Sequence, residues 1–165
     1  MAIPHRGFTT DSTYFITASV WEKKHLFQAP PAAELFLDVL YHYRGQDKYL
    51  LHEFVVMPDH FHLLITPAQT LERALQLIKG GLSFRAKKEL GFGGEIWQTS
   101  FYDRRVRDAE EYARMRAYIY ENPVGAGLVS SAEVYPYSSA NPHWAMDEVP
   151  QRLKPEFSVN SNPQG

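Results

Sequence analysis

The hydrophobic pattern of this chain changes its period several times between residues 13 and 120. Short runs rich in β-branched and aromatic residues predict strands, and longer runs with apolar positions three and four apart predict helices. Prolines and glycines mark several boundaries, as at Pro30-Pro31 and at Gly45. In chain order the pattern predicts a strand at 13–20, a helix at 32–43, strands at 49–56 and 60–66, a helix at 71–90, a strand at 96–106, and a helix from Asp108 to about Tyr120.

This order of elements predicts an α+β fold of the ferredoxin-like kind, a split β-α-β sandwich whose antiparallel sheet has helices on one face. The strands around Pro58-Asp59 are expected to form a hairpin, because these two residues favour a tight turn. Tandem glycines at 80 and 81 are expected to bend or split their helix, and Pro123 is expected to end the last one. The fold hosts many functions and decides none of them.

Composition limits the class of protein. The chain has 165 residues, 44% of them hydrophobic, so we predict a single globular domain over 1–140. Beyond it the sequence is polar, and we predict a C-terminal tail over 141–165 that is poorly ordered or lies along the surface. No run has the ~18 uncharged apolar residues of a membrane span, and residues 1–10 do not resemble a signal peptide. The absence of cysteine excludes disulfides and thiolate metal sites, and it fits a reducing cytosol.

His60-Phe61-His62 places two metal-ligand side chains in one predicted strand. Side chains alternate between the faces of a strand, so both imidazoles point one way and Phe61 points the other. Two imidazoles on one face form half of a metal site. The alternative is a pair of surface histidines on a solvated sheet face, which is the commoner case for an isolated pattern of this kind. The pair opens a strand directly after a tight turn, and this favours a site.

Tyr118 and Asn122 lie four residues apart in the last predicted helix, and Arg114 lies one turn before them. Residues at this spacing share a face of the helix, whereas the apolar residues of the same segment form a separate stripe that can pack on the sheet. The alternative is an ordinary helix tyrosine, followed by an asparagine that simply ends the helix.

Together the two patterns predict phosphodiester chemistry. Two imidazoles and an amide oxygen can hold a divalent cation, which acts as a Lewis acid on a phosphodiester. Tyr118 would be the nucleophile, with the cation and Arg114 helping the phenol to ionise. The products would be a phosphotyrosine linkage and a free DNA hydroxyl, and this hydroxyl or another could later reseal the strand.

Basic residues are concentrated between positions 79 and 116, although the formal net charge is −2. This stretch has nine basic and six acidic residues, so it carries +3 (9 − 6) and the remainder carries −5. Such a stripe can follow a phosphate backbone, since arginine forks match phosphate oxygens. On charge alone, solvated helix and strand faces are the favoured interpretation, and the arginines at 104, 105 and 107 could equally pair with nearby carboxylates. The candidate DNA contacts are Lys87, Lys88, Arg104, Arg105, Arg107 and Arg114.

The chain resembles the REP-associated tyrosine transposases, which belong to the single-tyrosine HUH transposases of bacteria. The histidine, hydrophobic, histidine motif stands as HFH at 60–62, and the signature of the tyrosine helix stands as YIYENPVGAGLV at 118–129. Further matches are YFITA at 14–18, IWQTSFYDRRVR at 96–107 and YPYSS at 135–139. The resemblance therefore runs from about residue 13 to 139.

The resemblance implies a ferredoxin-like fold, a divalent Mg²⁺ or Mn²⁺ ion, and single-stranded DNA next to a hairpin or palindromic repeat as the substrate. It implies His60 and His62 as metal ligands and Tyr118 as the nucleophile. Asn122 stands where related transposases have a glutamine as third ligand, and Gly125 stands where members commonly have a basic residue. It further implies a cytoplasmic bacterial protein with no membrane contact. A homodimer is open, since related transposases can build each site from two chains.

Two other functions remain open on the sequence. A non-catalytic, RRM-like nucleic-acid-binding module would keep the fold without the chemistry. A metal-dependent phosphodiesterase would use water as the nucleophile and would form no covalent DNA adduct.

Overall fold

The computed structural model describes residues 12–154, which form one sheet of four strands with three α-helices. Short 3₁₀ turns lie in the connections. The strands are β1 Tyr14–Ser19, β2 Tyr49–Met57, β3 His60–Pro67 and β4 Tyr102–Arg105, and the helices are α1 Pro30–Gly45, α2 Leu71–Leu90 and α3 Ala109–Gly125.

The sheet has the strand order β2-β3-β1-β4, and every neighbouring pair is antiparallel. β2 and β3 form the predicted hairpin around Pro58-Asp59, and β1 lies between β3 and β4. This arrangement confirms the predicted α+β fold of the ferredoxin-like kind.

The helices cover both faces of the sheet, and the expectation that they share one face was wrong. α1 and α2 pack on the face that carries Phe61, Leu63 and Ile65, which we call the helical face. α3 packs on the opposite face through Tyr112 and Ile119. The physical reason is that the second face also carries apolar side chains, among them Phe15, Val55 and Leu64, so each face needs a covering layer. None of the described helices is long and apolar enough to cross a membrane.

Three local expectations also differ from the structure. The predicted strand at 96–106 is interrupted: β4 keeps only Tyr102–Arg105, while Trp97 forms an isolated antiparallel bridge with Val20 and its indole N–H donates to the Lys79 carbonyl. α3 continues through Pro123 to Gly125, since a proline in the last turn removes only one hydrogen bond. The tandem glycines neither split α2 nor end it.

The chain after α3 returns across the sheet and the helices. The Tyr135 hydroxyl donates to the Val56 carbonyl at 2.7 Å. Farther along, the Asp147 carboxylate accepts two hydrogen bonds from Arg44 and one from the Leu51 backbone N–H. Residues 141–154 therefore pack on the domain, and the boundary at 140 stays a prediction. The rest of the predicted tail, 155–165, lies outside the described residues.

The tandem glycines of α2 give a paired prediction about stability. A methyl group on Gly81 would lie 2.9 Å from Val39 Cγ1 and 3.0 Å from the Tyr43 ring, so Gly81→Ala forces α1 and α2 apart. We expect overpacking of about 1–3 kcal/mol to exceed the gain in helix propensity of ~1 kcal/mol. A methyl group on Gly80 meets nothing within 4 Å, so Gly80→Ala should raise the free energy of unfolding by about 0.5–1 kcal/mol. Urea unfolding measures the change in the free energy of unfolding for both variants. Changes of the same sign would contradict the packing of α1 against Gly81.

Candidate active site

His60 and His62 lie on the face of the sheet that α3 partly covers, which we call the histidine face. Their ring centroids are 4.8 Å apart. The antiparallel register sets His62 opposite Thr17 and His60 opposite Ser19, so side chains of β1 border the pair.

Each imidazole is held through its Nδ1 atom. His60 Nδ1 donates to Asp59 Oδ1 at 2.6 Å, and His62 Nδ1 lies 2.8 Å from Thr17 Oγ1. His62 is 3% exposed, and its Nε2 atom is buried without a hydrogen-bond partner among the described residues. Leaving a buried polar atom unpaired costs about 1–3 kcal/mol, so such an atom indicates a ligand.

The electrostatics of His62 suit a metal ligand. Burial lowers the pKa of His62 to about 3, and the neighbouring His60 contributes to this shift. The ring is therefore neutral near pH 7, and the neutral imidazole is the form that binds metals. Within residues 12–154, no group of three or more His, Cys, Asp or Glu side chains could hold a metal ion. Any further ligands would have to be amide, water or phosphate oxygens.

Tyr118 brings a phenol to the same place from α3. Its ring centroid is 5.2 Å from that of His62 and 6.0 Å from that of Phe15, and Phe15 in turn stacks on His62 at 5.3 Å. Tyr118 is 54% exposed, so a ligand can reach its hydroxyl. A buried imidazole and an accessible phenol thus converge at one position.

Capping and ion pairs fix α3 over the sheet. The Asp108 side chain accepts a hydrogen bond from the Glu111 N–H at 2.8 Å and caps the helix. Glu111, 4% exposed, pairs with Arg104 of β4. Arg116 Nε donates to Glu53 Oε2 on β2 at 3.0 Å. Contacts to both edge strands therefore set the position of the helix that carries Tyr118.

Asn122, the predicted third ligand, and Arg114, the predicted activator of Tyr118, make no hydrogen bond or ion pair with the site residues in the described part of the chain. Asn122 is half-buried on α3, and its side chain makes no hydrogen bond within the described part of the chain. Arg114 lies 3.7 Å from Glu110 of its own helix, and no contact joins it to Tyr118. Their proposed roles stay predictions.

The predicted DNA contacts are divided between the two faces. Arg104 lies opposite Phe15 and so belongs to the histidine face, but its guanidinium pairs with Glu111. Arg105 lies opposite Tyr14 and belongs to the helical face, the side of the sheet on which α2 carries Lys87 and Lys88. Arg107 is exposed, 3.9 Å from Glu111. The structure thus does not bring these residues together at the histidines.

Sequence reasoning missed Phe15, Thr17 and Lys23. Phe15 and Thr17 could have been found, because alternation within β1 puts them on one face. Lys23 could not have been found in this way, because it lies after the end of β1, where strand alternation no longer applies. It follows β1 in a left-handed backbone conformation, with φ 55°, as does Glu22, at a cost of about 1–2 kcal/mol per residue.

Comparison with known proteins agrees with the site. Residues 9–122 match the family model "Transposase IS200 like". A Haemophilus influenzae protein provisionally named a REP-associated tyrosine transposase is 26% identical over 153 residues, which cover 81% of this chain and 82% of that protein. The REP-associated tyrosine transposase of Escherichia coli K12 is 28% identical over 97 residues, which cover 54% of this chain and 53% of that protein.

A solved structure shares the fold. The REP-associated tyrosine transposase bound to a REP hairpin superposes with a TM-score of 0.63 at 21% identity, over 100% of both chains. The resemblance to REP-associated tyrosine transposases is therefore confirmed, and the chain belongs to the family of IS200-like transposases.

Proposed function

We propose that this transposase cleaves and rejoins single-stranded DNA next to a hairpin, with Tyr118 as the nucleophile. The observation that carries the proposal is the approach of the exposed Tyr118 ring to the buried His62 ring, 5.2 Å between centroids. The name of a relative, a REP-associated transposase bound to a REP hairpin, supports DNA with a hairpin as the partner.

The donor set fits a divalent cation such as Mn²⁺ or Mg²⁺. His62 would bind through the unpaired Nε2 atom, and His60 would bind through Nε2 because its Nδ1 hydrogen is given to Asp59. Asn122 is the proposed third ligand. Two imidazoles favour Mn²⁺ over Mg²⁺ on ligand softness. When bound, the cation supplies Lewis-acid polarisation of the phosphodiester.

Tyr118 would carry the covalent step. Its hydroxyl oxygen forms a bond with the phosphorus, and the bond between the phosphorus and one deoxyribose oxygen breaks. The proton lost by the phenol balances the proton gained by the departing hydroxyl. Phe15 and His62 limit the motion of the ring, which keeps the phenol close to its target.

A covalent intermediate separates strand transfer from hydrolysis. Because the phosphotyrosine bond stores the energy of the broken phosphodiester, a DNA hydroxyl can attack it and reseal the strand. Tyr118 lies beside His62 of the same chain, so one chain supplies both groups and a homodimer is not required for them to meet.

We expect Tyr118→Phe to abolish a covalent DNA adduct while leaving the fold intact, because only the reacting oxygen is removed. To measure the adduct, the protein is incubated with Mn²⁺ and labelled single-stranded DNA that carries a hairpin, and the products are separated on a denaturing gel. A protease-sensitive band of low mobility reports the adduct.

Tyr120→Phe is the matched control for this experiment. Tyr120 lies on the same helix, but its ring sits under the Arg116 guanidinium at 4.7 Å, away from the predicted chemistry. The control should retain the adduct. Cleavage without an adduct would instead support a water-using phosphodiesterase, and binding without cleavage would support a non-catalytic module.

Metal binding gives a second test that does not depend on activity. We expect His60→Ala and His62→Gln each to raise the dissociation constant for Mn²⁺ at least about tenfold, since each removes an imidazole ligand. Electron paramagnetic resonance of free Mn²⁺ measures this constant. His42→Ala, at an exposed histidine on α1, should leave it unchanged. Unaltered Mn²⁺ affinity in both site variants would exclude the assigned ligands.

A further inference from the structure

The ammonium group of Lys23 lies beside the histidine pair, on the turn that follows β1. Its Nζ atom is 3.4 Å from Ser19 Oγ and 3.9 Å from Asp59 Oδ2. Ser19 is the antiparallel partner of His60, and Asp59 accepts the hydrogen bond from His60 Nδ1. Lys23 therefore touches two of the residues that border His60.

The backbone holds this lysine in place. The Val20 N–H donates to the Asp59 carbonyl at 2.9 Å, and the Trp21 N–H donates to the Ile96 carbonyl at 2.8 Å. Glu22 and Lys23 then adopt left-handed conformations, which non-glycine residues rarely do. Backbone strain of this kind is concentrated at functional sites, where the fold holds it in return for the position of a side chain.

The hydrogen-bonding capacity of Lys23 is largely unused. An ammonium group has three donor hydrogens, but within the described residues Lys23 makes one long hydrogen bond and one loose ion pair. Its side chain is 58% exposed. The Asp59 charge would repel a phosphate brought to His60, and the positive charge of Lys23 offsets that repulsion.

We propose that Lys23 binds a phosphate oxygen of the DNA strand next to the phosphodiester that reaches His60 and His62. The proposal rests on the proposed function, because it takes single-stranded DNA as the ligand. It assigns a DNA contact near the histidines to a residue outside the basic stretch at 79–116.

Lys24 provides a matched control. It has the same charge, and its side chain is 62% exposed, but its Nζ atom lies 3.9 Å from Glu22 and makes no contact with Ser19 or Asp59 within the described chain. A general attraction between the protein and DNA would depend equally on both lysines, whereas a specific phosphate contact depends on Lys23 alone.

The experiment measures the salt dependence of binding to a labelled single strand of DNA that carries a hairpin, in the Tyr118→Phe background and at a fixed Mn²⁺ concentration. Fluorescence anisotropy gives the dissociation constant over a series of NaCl concentrations. Loss of one phosphate contact reduces the magnitude of the slope of the logarithm of the dissociation constant against the logarithm of the salt concentration by roughly 0.7 for a single strand. We expect that change for Lys23→Ala, a slope near the original for Lys23→Arg, and no change for Lys24→Ala.

Three results would overturn the proposal. The first is an equal change of slope for both lysine variants. The second is an unchanged slope for Lys23→Ala together with an altered affinity for Mn²⁺, which would mean that Lys23 only supports Asp59. The third is that the protein does not bind the strand. If the variants show the expected slopes but the protein with Tyr118 intact never forms a covalent DNA adduct, the phosphate contact of Lys23 stands and the proposed covalent function fails. The two failures are therefore distinguishable.

Discussion

The candidate site depends on a buried imidazole nitrogen that has no hydrogen-bond partner among the described residues. His62 sits on a central strand, with Phe15 stacked on its ring and Thr17 within hydrogen-bond distance of its Nδ1 atom, and its Nε2 atom is buried without a partner among the described residues. An apolar side chain at this position would avoid the cost of about 1–3 kcal/mol that an unpaired polar atom carries. Burial also keeps the ring neutral, and its pKa of about 3 leaves the lone pair free for a cation.

The position of α3 follows from the same burial. A sheet that is apolar on both faces needs a second layer, yet a complete layer would close the histidines away from DNA. α3 resolves this conflict by covering the apolar part of the face, which includes Phe15, Val55 and Leu64, and by leaving Tyr118 half exposed. Tyr118 stands at the border between the covered and the open parts, half in contact with His62 and half exposed. The Glu53–Arg116 and Glu111–Arg104 pairs fix that border, because each joins the helix to a different strand.

The sequence allowed the sheet, the hairpin and the pairing of His60 with His62 on one face to be predicted, because all of these follow from local periodicity. It did not reveal that α3 crosses to the opposite face, although the continuous apolar run at 54–57 in β2 contained the signal. The interruption of the last strand between Trp97 and Tyr102 could not be predicted from local periodicity, because the Trp97 ring packs on Phe27 and Phe61, which are distant in sequence. Lys23 could not be found either, since nothing local in the sequence predicts a left-handed lysine.

The charge pattern shows why a basic stretch in sequence differs from a basic surface in space. A phosphate can use only donors that face it and are not already taken. Arg104 faces the histidines but is paired with the buried Glu111, while Arg105 belongs to the opposite side of the sheet. Lys23 lies outside the basic stretch in the sequence, yet its charge stands beside His60 and its side chain is mostly exposed. The proposed path of the strand therefore crosses the histidine face beside His60, where the net charge of the whole chain matters less than a cation such as Lys23, which keeps donor hydrogens for a phosphate.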